Sequence, residues 1–114
     1  MKISEVLKLT EATIVCGHNR VDDVVVMAFS ADLMSDVLTL DNEDIMLITG
    51  LANTQAIRTS EMADIHYILL VRNKKATEEM IELARENGMV LMETSFSMFR
   101  ASGMLYKAGL RAVY

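Results

Sequence analysis

Short unbroken apolar runs, each separated from the next by a stretch of helical periodicity, set the strongest limit on what this chain can fold into. Val24-Val25-Val26-Met27-Ala28-Phe29, Ile45-Met46-Leu47-Ile48, residues 65–71 and Met89-Val90-Leu91-Met92 lack the polar alternation of a strand with one wet face. Such runs belong to strands buried on both sides. Between them lie amphipathic stretches. Leu33, Met34, Val37 and Leu38 form one helical stripe after Ser30, a plausible N-cap, with Asp32 in the first turn. Residues 53–63 read as a second helix with an uncertain middle at Thr59 and Ser60. Residues 77–87 are the clearest helix, with Glu78 and Glu79 at the start, Met80, Ile81, Leu83 and Ala84 on one face, and Gly88 as the stop. Ile3, Val6 and Leu7 mark an opening helix with Ser4 as its cap. Thr13 to Cys16 reads as a short strand, and Ser95 or Ser97 caps a final helix bearing Phe96, Phe99, Met104 and Leu105. This alternation predicts a three-layer α/β/α fold with a mainly parallel sheet of about five strands, the first long run lying in its middle.

The chain has 114 residues, no proline and no linker-like tract, so residues 1–114 are read as one domain. Apolar residues make up 52% of it without any run near the ~18 residues a membrane span needs. A single cysteine, Cys16, and an opening Met1-Lys2-Ile3-Ser4-Glu5 unlike a secretory signal place the expected home in the cytoplasm. Eleven basic against sixteen acidic residues give a net charge of −5, and Lys74-Lys75 is the only adjacent basic pair. Nucleic-acid and anionic-membrane partners are therefore disfavoured, since both need clustered positive charge. Ten methionines fit gap-filling in the core or an adaptable partner surface, and so large an apolar complement in a small domain points to a homodimer.

No glycine-rich phosphate loop occurs, and the five glycines at 17, 50, 88, 103 and 109 are scattered singly, which excludes the dinucleotide fingerprint. One cysteine and two histidines are too few for a zinc site, so neither cofactor nor metal is expected. Cys16 with His18 reads as a buried thiol beside a turn histidine, and His66 as a half-buried strand residue; no catalytic residue is assigned. A parallel sheet does create one favourable edge. Where strands end and helices begin, free backbone N–H groups and the helix dipole favour an anion. Ser30, Asp32, Thr49, Gly50, Asn53, Arg72, Lys74, Thr94 and Ser95 fall at those turns, where each hydroxyl or amide of the Ser, Thr and Asn residues could also simply cap its own helix. Arg58 and Arg72 supply guanidinium groups suited to a phosphate. The candidate ligand is accordingly a phosphorylated or nucleotide-like metabolite, and the alternative is a pure protein–protein interaction subunit with no small ligand.

Leu47-Ile48-Thr49-Gly50, then Asp64-Ile65-His66-Tyr67-Ile68-Leu69-Leu70-Val71-Arg72, then Thr94-Ser95-Phe96-Ser97-Met98-Phe99 resemble, in order and spacing, the DRTGG domain family. Phe29-Ser30-Ala31-Asp32-Leu33-Met34-Ser35-Asp36-Val37-Leu38 looks like a segment of its small stand-alone members, so the resemblance covers nearly the whole chain. It implies a fold like the N-terminal domain of HPr kinase/phosphorylase, and a non-catalytic regulatory or dimerising module of the kind found inside phosphotransacetylases and beside CBS-domain pairs in regulated pyrophosphatases. Stand-alone members are sometimes described as serine-kinase-like, but the resemblance is to the domain without the phosphate loop. The letters D-R-T-G-G do not occur here. Gly50-Leu51-Ala52-Asn53-Thr54 and Val71-Arg72-Asn73 stand at the signature turns, so a ligand held by those turns elsewhere would be lost or changed in this chain.

Overall fold

The computed structural model describes residues 1–42 and 44–114. Helix α1 (Ile3–Thr10) leads into strand β1 (Thr13–Cys16), followed by β2 (Met27–Ser30), α2 (Met34–Val37), β3 (Ile45–Thr49), α3 (Thr54–Met62), β4 (Tyr67–Leu70), α4 (Glu78–Glu86), β5 (Val90–Glu93), α5 (Met98–Lys107) and β6 (Arg111–Ala112). The strands form one sheet in the order β1-β5-β4-β3-β2-β6. It is a mostly parallel α/β fold, as the alternation of patterns requires. Among the strands of the described residues only β1 runs antiparallel, against β5, with its register shifted between Ile14 and Cys16.

Two apolar cores sandwich the sheet. Met34, Val37, Ala56, Ile57, Met80 and Ala84 of α2, α3 and α4 pack on Leu47, Ile68 and Leu91 on one face. On the other, Ile3 and Val6 of α1 join Ala101 and Leu105 of α5 over Met46, Leu69 and Val90. The three central strands β3, β4 and β5 are buried at every position, which explains why their sequences carry no alternation. Helix α4 begins and ends where its residues dictate. Thr77 accepts a hydrogen bond from the Met80 amide, and Gly88 takes a left-handed φ of 65° just past the end.

Three expectations are corrected. The run at residues 24–29 is not the middle of the sheet: pairing with β3 starts only at Met27, and β2 lies one strand from the edge. Val24 and Val26 are exposed, and Val24 instead bridges Lys2. The number of strands agrees with the expected five or so: among the described residues there are six, the two-residue Arg111-Ala112 strand beside β2 being the sixth. Ser30 caps nothing: α2 is a single turn that begins after Leu33, whose side chain cannot cap it, and Leu33 and Leu38 stay exposed. Ser4 lies within α1, where Glu5 closes the start by accepting from the Lys2 amide. Among the described residues no helix is long and apolar enough to cross a membrane.

Candidate functional site

The carboxyl ends of β2, β3 and β4 bring together four of the residues expected there. Thr49 ends β3 fully buried, its hydroxyl accepting from the Leu51 amide and donating 3.1 Å to Asp32 Oδ1. The Gly50 amide donates to the same oxygen at 2.7 Å. Asp32 Oδ2 accepts from Arg72 Nη1 at 2.8 Å. The Arg72 guanidinium lies against the Gly50 Cα, in the space that any side chain at position 50 would fill. Three donors therefore converge on the two oxygens of one carboxylate. Burial pushes the Asp32 carboxyl up, but the Gly50 amide, the Arg72 guanidinium and the Thr49 hydroxyl outweigh it and hold it below the usual carboxylate range.

The backbone fixes Arg72 in that position. Arg72 and Asn73 both adopt left-handed φ values, 60° and 58°, which residues with a Cβ enter only at a cost. The turn that follows β5 holds them: the Arg72 amide donates to Phe96 O at 2.8 Å and the Asn73 amide to Thr94 O at 3.1 Å. Thr94 is itself buried, donating its hydroxyl to Thr10 O and accepting from the Phe96 amide. Its role is to tie α1, β5 and the Arg72 turn together.

The other expected site residues go elsewhere. The Ser30 hydroxyl pairs with Ser102 Oγ of α5 at 2.7 Å. Asn53 accepts from the Ala56 amide as the cap of α3. Ser95 is exposed beside Thr94, and Ser97 rather than Ser95 caps α5. Arg58 is not brought to the strand ends; it faces Glu79, Glu82 and Glu86 across the groove between α3 and α4. Cys16 is buried, and burial raises its thiol against a smaller opposing effect of Arg85, while His18 is exposed. No group of three His, Cys, Asp or Glu side chains gathers as a metal site among the described residues.

Three features were not read from the sequence. Glu93, at the end of β5, is buried and accepts from the Ala76 amide at 2.6 Å, pinning the loop into α4. At the opposite, amino edge, Arg20 and Tyr67 both donate to Asp23 Oδ2, and Arg20 also reaches Tyr67 Oη and the Gly88 carbonyl. Thirdly, the sheet face over β2 and β6 is left open beside α5. A recess of about 310 Å³ there has Ala28, Ile48 and Leu110 among its lining, with Phe99 and Tyr106 at its rim. Phe99 is 87% exposed.

Comparison with known proteins accords with this architecture. The DRTGG domain model matches residues 5–108. No curated protein matches the chain. Among solved structures, the fold is shared with the CBS and DRTGG domains of the regulatory region of Clostridium perfringens pyrophosphatase, complexed with its activator, diadenosine tetraphosphate. The TM-score is 0.77 at 15% identity, over 96% of this chain and 47% of that one. The present chain thus spans about half the length of that regulatory region.

Proposed function

This chain belongs to the DRTGG domain family, and we propose on that premise that it is a non-catalytic regulatory domain that binds a phosphorylated or nucleotide-like metabolite and works as a cytoplasmic homodimer. The observation that carries the reading is the donor set at the carboxyl edge. Thr49 Oγ1, the Gly50 amide and Arg72 already hold an anion, the carboxylate of Asp32. An arrangement that recognises two oxygens on one centre suits phosphate as well as carboxylate. The solved regulatory region supports the class of role, since its fold serves in a nucleotide-activated enzyme. The ligand chemistry here rests on this chain's own residues.

A thermal-shift screen against adenine and guanine nucleotides, acetyl phosphate and small carboxylates tests it. Occupancy at about a hundred times the dissociation constant adds ~2.7 kcal/mol, enough to raise the melting temperature by several degrees. One compound class should give that shift, and Arg72→Ala should abolish it while the protein stays folded. A flat screen, or an equal shift in Arg72→Ala, refutes the reading.

A second reading, a partner-binding subunit without a small ligand, draws on the open recess beside α5 and the exposed Phe99 and Tyr106. Aromatic residues around an apolar recess are typical anchors of interfaces. Under it, Phe99→Ser weakens self-association in sedimentation velocity and leaves the ligand screen flat.

A further inference from the structure

The donors at the carboxyl edge are already occupied, and by a residue with little other reason to be there. Asp32 sits in the connection between β2 and the one-turn helix α2, a helix whose N-cap residue, Leu33, offers no side-chain cap. Apart from the Ala31 amide bonded to Ile48 O, the three bonds of the Asp32 carboxylate are what fasten this connection to the strand ends. The carboxylate is also accessible: its side chain is 44% exposed and that of Arg72 43% exposed. Oδ1 is used by Gly50 and Thr49 and Oδ2 by Arg72 Nη1, so an anion that takes all three of these donors must displace Asp32.

Resting on the ligand-binding reading above, we propose that Asp32 is an internal stand-in for the ligand, and that the ligand is a phosphate monoester whose terminal phosphate displaces it. A phosphate monoester presents two oxygens with the same spacing logic as a carboxylate but carries about −1.5 to −2 charges near neutral pH, against −1 for Asp32. The exchange therefore runs in its favour at Arg72. Displacement also has a structural consequence. Freed from Gly50 and Arg72, the Asp32 segment loses its tie to the sheet edge, and α2, a single turn held to the core through Met34 and Val37, shifts relative to α3. Binding at one edge would then be read out on the α2 surface, where Leu33 and Leu38 are exposed.

The test uses pyrophosphate as the probe, titrated by calorimetry into the wild type, Asp32→Ala, and the double variant Asp32→Ala with Arg72→Ala, each checked for folding by circular dichroism. A self-occupied site that is free about one tenth of the time binds about tenfold more weakly than an open one. Asp32→Ala should bind about tenfold more tightly than the wild type, and the double variant should not bind. If the wild type binds through Arg72 but Asp32→Ala binds equally or more weakly, the stand-in is overturned while the ligand site stands. If none of them binds, both are overturned. Should Asp32→Ala fail to fold, amide spectra of the wild type during the titration decide: Gly50 and residues 34–37 should shift together with one dissociation constant, and a Gly50 shift with residues 34–37 unmoved overturns the proposal.

Discussion

Substituting Gly50→Ala places a methyl group in steric overlap with the Arg72 Cζ and Nη2 atoms and 2.6 Å from Nη1, far closer than van der Waals contact allows. Arg72 must give way, but the group displaced is the far end of a long side chain that is nearly half exposed. Gly50 is not among the residues with positive φ, so alanine brings no backbone strain. What is lost is the Arg72–Asp32 pair, and exposed pairs contribute roughly 0–1 kcal/mol. Gly17→Ala makes the contrast. Gly17 has φ of 85°, and a Cβ there lies 2.9 Å from Val90 Cα and 3.0 Å from Met89 O, backbone atoms of β5 and the turn before it that cannot swing aside. The left-handed conformation costs about 1–2 kcal/mol for alanine, and overpacking against a fixed neighbour about 1–3 more. For a domain of this size Gly50→Ala should lower the melting temperature by no more than about 5 °C, and Gly17→Ala by about 10 °C or more. Thermal denaturation followed by circular dichroism measures both, and a pyrophosphate titration of Gly50→Ala should show weaker binding. If Gly50→Ala melts as low as Gly17→Ala, the guanidinium is not the group that yields and the account of the site is wrong. Undiminished binding by Gly50→Ala would refute the role of the Gly50–Arg72 contact.

Ser60, buried in α3, carries the one buried side-chain polar atom without a hydrogen-bond partner among the described residues. Ser60→Ala should therefore stabilise the protein by about 1 kcal/mol, seen as a higher urea midpoint at unchanged m-value. Asp23 and Asp32 have carboxyls held below the usual range, with burial opposing and the partners' hydrogen bonds prevailing. Their contribution is present above the unfolded carboxylate value of about 4 and is lost as pH falls through the lower folded values, so Asp23→Asn should flatten the acid limb of a stability-against-pH curve. Tyr67 shifts the other way, raised by burial and by Asp23. Its contribution is full below pH ~10 and lost above, and Tyr67→Phe should remove that alkaline loss. Cys16, buried with its thiol raised, should resist iodoacetamide in the native protein near pH 8 and react at once in denaturant.

The elements legible in the sequence are those whose burial is complete and local. Ile45–Thr49, Tyr67–Leu70 and Val90–Glu93 are covered on both faces, so apolar residues alone mark them, and α4 carries its own start and stop in Thr77 and Gly88. The elements misread are those that depend on a distant neighbour. Residues 24–29 look like a central strand because three valines look alike wherever they sit; yet Val25 is buried while Val24 and Val26 are exposed, ahead of the β2–β3 pairing that begins at Met27, and the edge beyond β2 is closed by β6, whose Arg111-Ala112 has no strand-like apolar pattern. The direction of β1 is likewise set by its pairing with β5, almost eighty residues away in the chain, not by Thr13–Cys16 themselves.

The site divides along the same line, and the division bears on what the edge does. Topology alone placed Asp32, Thr49, Gly50 and Arg72 at one edge, because a parallel sheet collects its strand ends there. Local rules then gave Ser30 to a helix cap and Asp32 to the first turn of that helix, yet Ser30 pairs with Ser102 across 72 positions and Asp32 with Arg72 across 40. Hydrogen bonds of that span have no local signal. What the structure adds is occupancy: the donors that make this edge attractive to an anion already hold one from the chain itself. An edge of that kind answers to competition rather than to vacancy. Its sensitivity to a ligand is set as much by how firmly Asp32 holds on as by how well Arg72 attracts, so substitutions at 32 and 72 should move affinity in opposite directions even though both residues belong to one ion pair.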